Sequence, residues 1–157
     1  MTEGQTVEQP LIKVSALREG TVIDHLSAGT ALKVISILGI ASEEGAVTIG
    51  LNLDSPKVGN KDIIKIERRE VTQEEVARIA LVSPRATFSI IRDFQVVDKF
   101  KPVLPETIEN LIRCPNPSCV TSDDRVRTRF LVLRTDPVRV RCFYCERSQR
   151  KEEIELL

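Results

Sequence analysis

The spacing of apolar residues along the chain changes several times, and each change marks an element. Leu11 to Leu17 reads as a strand, Arg18-Glu19-Gly20 as a turn, and Thr21 to Leu26 as a second extended piece. From Thr30 to Leu38 the apolar Ala31, Leu32, Val34, Ile35 and Leu38 follow the helical period, and Gly39 offers a C-terminal stop. Ala46 to Leu53 alternates Val47, Ile49, Leu51 and Leu53 with Thr48, Gly50 and Asn52, the pattern of a half-buried strand. Asp62 to Arg68, with Ile64 and Ile66 two apart, reads as its partner across Ser55 to Asn60. Thr72 followed by Glu75 is a capping-box pattern, and Val76, Ala77, Ile79 and Ala80, with Leu81 as a further candidate, form the apolar stripe of the helix it opens. Pro84 ends that helix, and Thr87 to Ile91 and Phe94 to Val97 are closing strands. The alternation predicts an α+β unit of ferredoxin-like type, one sheet under two helices.

Periodicity breaks again at Lys99 to Pro105, where Pro102 and Pro105 cannot donate to a strand ladder. The expected organisation is a flexible tail over residues 1–10, one domain over 11–101 and a smaller one over 102–157. In the smaller part, Pro105 to Ile112 reads as a short helix or turn. Arg125 to Leu133 and Val138 to Arg141 read as strands around Thr135-Asp136-Pro137, and Glu152 to Leu156 as a last strand. About fifty residues rarely build a sufficient core unaided, so this part needs a staple.

The cysteines supply one. Cys114 and Cys119, then Cys142 and Cys145, are the chain's 4 cysteines, two close pairs separated by 22 residues. Each pair brings two thiolates to one point from a tight turn, and two such turns complete a tetrahedral site. Zinc is the expected ion, although thiolate ligands also suit iron. The competing reading is two disulfides, but Met1 to Gln9 is polar and lacks a secretion-signal pattern, so a cytoplasmic setting with reduced thiols is expected. A four-sulfur shell leaves no open position, so the metal should hold structure. The whole reads as a zinc-ribbon, or rubredoxin-like, β domain.

Composition narrows the function. Lys plus Arg and Asp plus Glu number 23 each, so overall charge points to no polyanionic macromolecule. Between Arg125 and Arg150 eight arginines face two acids, a local excess that keeps a nucleic-acid-binding zinc ribbon open as an alternative. With no Trp and one Tyr, stacking platforms are scarce, and nucleic acid is not the expected partner. No apolar run approaches the roughly 20 residues of a membrane span. No glycine-rich phosphate loop or nucleophile elbow occurs, and His25 is the only histidine, so no catalytic constellation stands out. His25 follows Asp24 at a predicted strand end, where a histidine can face a phosphate or simply sit on the surface. Lys65 and Lys99 carry the same two readings.

Several blocks together resemble one family. Glu19-Gly20-Thr21-Val22-Ile23-Asp24-His25, Thr48 to Leu53, Lys61 to Glu67, Val96-Val97 with Lys99, Pro102-x-Leu104-Pro105-Glu106, and Cys114-Pro115-Asn116 to Cys119 with Cys142 to Glu146 are similar to the regulatory chain of aspartate carbamoyltransferase. The resemblance implies a non-catalytic subunit in pyrimidine biosynthesis. Its first domain would bind nucleoside triphosphates, with CTP as inhibitor, ATP as activator and UTP as a further candidate, and would pair with a second regulatory chain. Its zinc domain would dock on catalytic chains. By position it implies Val14, Asp24 and Lys65 near the ribose and His25 with Lys99 at the phosphates. Leu17, Ile91, Phe94 and Val96 would surround the base, with backbone groups from Ala16 and Leu17. Ser89 and Phe94 stand where the bacterial pattern has asparagine and tyrosine, removing polar contacts near the base. Asn116 and Arg147 would touch the catalytic chain.

Overall fold

The computed structural model describes residues 16–40, 45–57 and 59–157. Five antiparallel strands form the first sheet: β1 (Gly20–Ser27), β2 (Val47–Ser55), β3 (Gly59–Glu67), β4 (Thr87–Arg92) and β5 (Gln95–Phe100). Their order is β2-β3-β1-β4-β5, which is the ferredoxin-like order with β5 added at one edge. Helices α1 (Ala31–Leu38) and α2 (Gln73–Val82) supply one face. Ile23 and Leu26 of β1, Ile64 and Ile66 of β3 and Phe88 of β4 are fully buried, packed with Ala31, Val34, Leu38, Val76, Ile79 and Val82 of the helices. Because side chains alternate across a strand, the residues between these point to the other face, which carries no helix among the described residues.

Local chemistry fixes the elements as the sequence predicts at several points. Gly39 closes α1 in the left-handed region (φ 55°), and Thr72 with Glu75 forms a full capping box on α2. Thr30 gives α1 no side-chain cap; the buried Asp62 carboxylate does so from β3, accepting from the amides of Gly29 and Ala31 at 2.9 and 3.1 Å. The same carboxylate accepts from Asn52 N at 2.9 Å, tying β2, β3 and α1 at one point. Gly20 has φ 139°, and a Cβ there would lie 1.9 Å from the Ile66 carbonyl oxygen, so the close approach of β1 and β3 excludes a side chain.

The second sheet contains β6 (Thr107–Glu109), β7 (Arg129–Thr135), β8 (Val138–Cys142) and β9 (Ser148–Arg150), in sequential antiparallel order. Its core holds Ile108, Ile112, Phe130, Val138, Val140 and Ile154, together with Leu81 from α2. Helix α2 therefore faces two cores: Ile79 and Val82 enter the first while Leu81 enters the second. Arg78 also donates to the Leu157 carbonyl at 2.9 Å, and Arg85 pairs with Asp136 at 2.7 Å across the junction.

Some expectations need correction. Residues Pro105 to Ile112 contain a strand, β6, because Ile108 is wanted in the β7 ladder and its burial outweighs the helix-like spacing. Glu152 to Leu156 is not a strand; β9 comes earlier, a 3-10 turn spans Lys151–Glu153, and Leu156 makes only an isolated bridge to Ile112. Strand β7 begins at Arg129, not Arg125. The predicted half-buried strand from Ala46 is β2, an edge strand whose Ile49, Leu51 and Leu53 are 37%, 51% and 41% exposed. The strand expected over Leu11 to Leu17 lies mostly outside the described residues, as do the expected tail and Val14, and Ala16 and Leu17 are not in a strand. No helix among the described residues is long and apolar enough to cross a membrane.

Candidate metal centre and helix-free sheet face

All four cysteines meet at one point. Their Sγ atoms lie within 4.8 Å of one another. Cys114–Cys145 and Cys119–Cys142 approach to 3.6 and 3.8 Å, against roughly 3.8 Å for sulfurs sharing a tetrahedral zinc at ordinary Zn–S lengths. A disulfide would need about 2.05 Å, and all four cysteines are free. The donor set therefore fits a four-coordinate thiophilic ion. Two turns make the site. In the first, Asn116 Oδ1 accepts from Ser118 N at 3.0 Å and the Asn116 carbonyl accepts from Cys119 N at 3.0 Å. In the second, Cys142 ends β8, its carbonyl accepts from Glu146 N at 3.0 Å, and Glu146 takes a positive φ of 63°.

Electrostatics separates the thiols. Burial, with the other three sulfurs around it, pushes Cys114 up to about 12. Burial also acts to raise Cys145, but the backbone N–H of Arg147 and the Asn116 side chain outweigh it and bring that thiol down to about 7. Crowded thiolates repel one another, and a divalent ion at their centre would offset that repulsion. Asn116 thus has work inside the knuckle. Arg147 is exposed; its carbonyl accepts from Cys142 N at 2.9 Å. Beside it, Phe143 and Tyr144 are about half exposed in an edge-on pair 5.4 Å apart, with the Arg129 guanidinium 5.1 Å from the Phe143 ring centre.

The second group of candidate residues lies on the first sheet. Strand register aligns Thr48, Lys65, Val22, Ser89 and Lys99 in one row across β2, β3, β1, β4 and β5. Asp24 opposite Thr87, and Ile91 opposite Gly20 and Val96, flank that row. Residues paired across strands share a face, and Val22 alternates with the helix-facing Ile23, so this row lies on the helix-free face. Asp24, Lys65, Ser89, Ile91 and Lys99 are thereby brought together. Leu17 is buried nearby in the chain that leads into β1, and Ala16 is exposed.

Phe94 behaves differently from the sequence expectation. It sits in the β4–β5 turn with φ 63°, donates its N–H to the Arg18 carbonyl at 2.9 Å, and leaves its ring 63% exposed. Val96 is 57% exposed.

His25 lies in the β1 bulge between Ile23 and Leu26, with φ 54°. Its N–H is held by the Asp24 carboxylate at 2.6 Å, and its Nδ1 is buried without a hydrogen-bond partner. Sequence reasoning missed the partner of Asp24: Lys61 Nζ lies 2.7 Å from its carboxylate. Burial acts to raise Asp24, but Lys61 and the His25 amide and ring outweigh it and hold the carboxyl below its ordinary 3.8. The alternation Lys61, Ile63, Lys65 on one face of β3 was the available signal. Around His25, Lys57, Arg85, Lys99 and Lys101 line a cleft of about 340 Å³ with no acidic residue in its lining.

Comparison with known proteins adds the lineage. A family model described as aspartate carbamoyltransferase regulatory chain, allosteric domain, matches residues 12–103, and its counterpart described as the metal binding domain matches residues 106–155. The chain belongs to the aspartate carbamoyltransferase regulatory chain family. The regulatory chain of Pyrococcus abyssi is 52% identical over 145 residues, covering 91% of this chain and 95% of the relative. That of Thermococcus gammatolerans is 48% identical, covering 92% and 97%. That of Methanothermobacter thermautotrophicus is 46% identical, covering 92% and 93%. A regulatory chain is the non-catalytic subunit of its enzyme and has a catalytic chain as partner in the complex. The helix-free face belongs to the allosteric part, and the cysteine cluster to the metal-binding part.

Proposed function

We propose that this regulatory chain binds nucleoside triphosphates on the helix-free face of its first sheet, with CTP as inhibitor, ATP as activator and UTP as a further ligand. The observation that carries the reading is the row Lys65, Val22, Ser89, Lys99 beside Asp24 and His25, which offers cations for phosphates and a carboxylate for ribose hydroxyls on one surface. Ile91, Val96, Phe94 and Leu17 are the apolar residues available to the base, with Ala16 beside them and Val14 assigned on the resemblance alone. The Asp24–Lys61 pair refines the ribose assignment, because Lys61 orients the carboxylate.

The ion at the four cysteines is zinc in this reading, in a structural role, and the boundary between the two parts falls at residues 101 and 102. The metal-binding part docks on the catalytic chain through the surface near Asn116 and Arg147, to which the exposed Phe143 and Tyr144 add apolar contact. A second regulatory chain pairs with this one; support comes from β2, the edge of the sheet among the described residues, with exposed Ile49, Leu51 and Leu53. A nucleic-acid role loses support at Arg125, Arg129 and Arg150, which pair with Asp123, Glu109 and Glu153.

Isothermal titration of the full metal-loaded chain with CTP and ATP tests the central part. Binding of both, weakened by Lys99→Ala, is expected; no heat from either nucleotide at millimolar concentration would end the reading.

A further inference from the structure

One arginine belongs to two places at once. Arg85 lines the acid-free basic cleft with His25, Lys57, Lys99 and Lys101. It also lines a second cleft, of about 280 Å³, between the two sheets, with His25, Asp136, Lys151 and Glu152. In the structure its Nε donates to Asp136 Oδ2 at 2.7 Å. Asp136 sits in the turn joining β7 to β8, in the metal-binding part, whereas Arg85 lies between α2 and β4 in the allosteric part.

We propose that the polyphosphate tail of the effector competes with Asp136 for Arg85, so that occupancy of the basic cleft releases an ion pair between the two parts. This rests on the nucleotide-binding reading above. Three observations carry it. Lys57, Lys99 and Lys101 have no acidic partner among the described residues, so the cleft presents uncompensated positive charge that a polyanion would satisfy. The Arg85–Asp136 pair is solvent-exposed, with side chains 63% and 42% accessible, so breaking it is cheap. Nε is the only guanidinium nitrogen of Arg85 engaged among the described residues, and a planar fork with free terminal nitrogens can take a phosphate in two-pronged fashion. Pro84 and Arg85 lie in the short link, Ser83 to Ala86, from α2, whose Leu81 is buried in the second core, to β4, whose Ser89 lies in the row. A shift of Arg85 therefore touches both parts through one short segment. By reciprocity, the factor by which the effector weakens the Arg85–Asp136 pair equals the factor by which that pair weakens the effector, so removing the Asp136 charge tightens the effector.

The test is a mutant cycle on the full metal-loaded chain, titrated with CTP, ATP and inorganic tripolyphosphate. Asp136→Asn frees Arg85 and is expected to tighten all three by about two- to fivefold, the range set by an exposed ion pair. In the Arg85→Gln background the same change should have no effect, and Glu152→Gln, which removes a neighbouring charge of the interpart cleft, should not reproduce it. The Arg85 Nε–Hε resonance, assigned by its loss in Arg85→Gln, should move on adding tripolyphosphate. Equal tightening by Asp136→Asn in both backgrounds, or none in either, overturns the proposal while leaving nucleotide binding intact. Coupling seen with the nucleotides but not with tripolyphosphate overturns it too, because the tail would then not be what Arg85 reaches. If none of the three ligands binds the wild-type chain, the nucleotide reading itself falls and this proposal with it.

Discussion

Two buried or half-buried carboxylates carry much of the first sheet's local order. Asp62 is fully buried and accepts from the amides of Gly29, Ala31 and Asn52, so it caps α1 and pins the register shift of β2 between Gly50 and Leu53 at once. Asp62→Ala leaves those donors without their acceptor and is expected to cost on the order of 3 kcal/mol in urea unfolding. A loss below about 1 kcal/mol would show that water replaces it. Asp24 differs, since its role depends on charge. Its folded carboxyl titrates below the ordinary 3.8, so its contribution is fully present above that value and is lost as pH falls through the lower folded one. The stability gap between wild type and Asp24→Asn should thus persist down to about pH 5 and close under more acid conditions. A gap that widens on acidification would reverse the sign of the argument. Of these residues, Asp24 was legible from the sequence because the resemblance gives it a position near the ribose. Asp62 and Lys61 were not, because their meaning arises only when the β1 bulge and the α1 N-terminus come together in space.

At the scale of elements, the sequence was most readable where one physical signal dominated. The capping box at Thr72 and the glycine stop at Gly39 are local devices, and both form as read. Failures fell where tertiary pairing overrode local pattern. The segment around Ile108 has helix-like spacing yet pairs with Phe130 in a strand, and Leu156 finds only a single bridge. Alternation in β2 suggested a buried face, but β2 is the sheet's edge: Val47 packs on the core, while Ile49, Leu51 and Leu53 stay exposed without a covering element among the described residues. That exposure fits a partner strand or surface from a second copy. Leu51→Lys should therefore shift the isolated metal-loaded chain toward monomer in sedimentation velocity while leaving its circular dichroism unchanged. A sedimentation profile identical to wild type would mean that the copies associate elsewhere or not at all. The metal site was almost wholly legible, since close cysteine pairs need only tight turns to converge. The proposed effector face was legible only through the resemblance, because residues scattered from Asp24 to Lys99 meet by strand register, which one sequence does not state.

For the whole molecule, the two parts depend on different stabilisers. The first has a core of aliphatic residues with the Phe88–Phe100 stack, rings 5.4 Å apart. The second has a small core wrapped around Cys119 and Cys142, so its order is linked to metal binding, which in small zinc modules is worth roughly 10 to 16 kcal/mol in apparent terms. Chelation should erase amide protection in β6 to β9 while β1 to β5 keep theirs, as read by hydrogen exchange. Uniform loss, or no loss, would contradict that division. Leu81, Arg78 and the Arg85–Asp136 pair are among the contacts through which the parts can sense each other. Coupling of this kind is typically about 1 to 3 kcal/mol, and it acts only if effectors fit two states of the assembly unequally. The most direct measurement is the rate of carbamoyl transfer to aspartate by catalytic chain reconstituted with this metal-loaded chain, with CTP or ATP added, against catalytic chain alone. The account predicts a nucleotide response, inhibition by CTP and activation by ATP, that appears only in the reconstituted assembly. An assembly that forms yet turns over at the same rate with either nucleotide as without would contradict it.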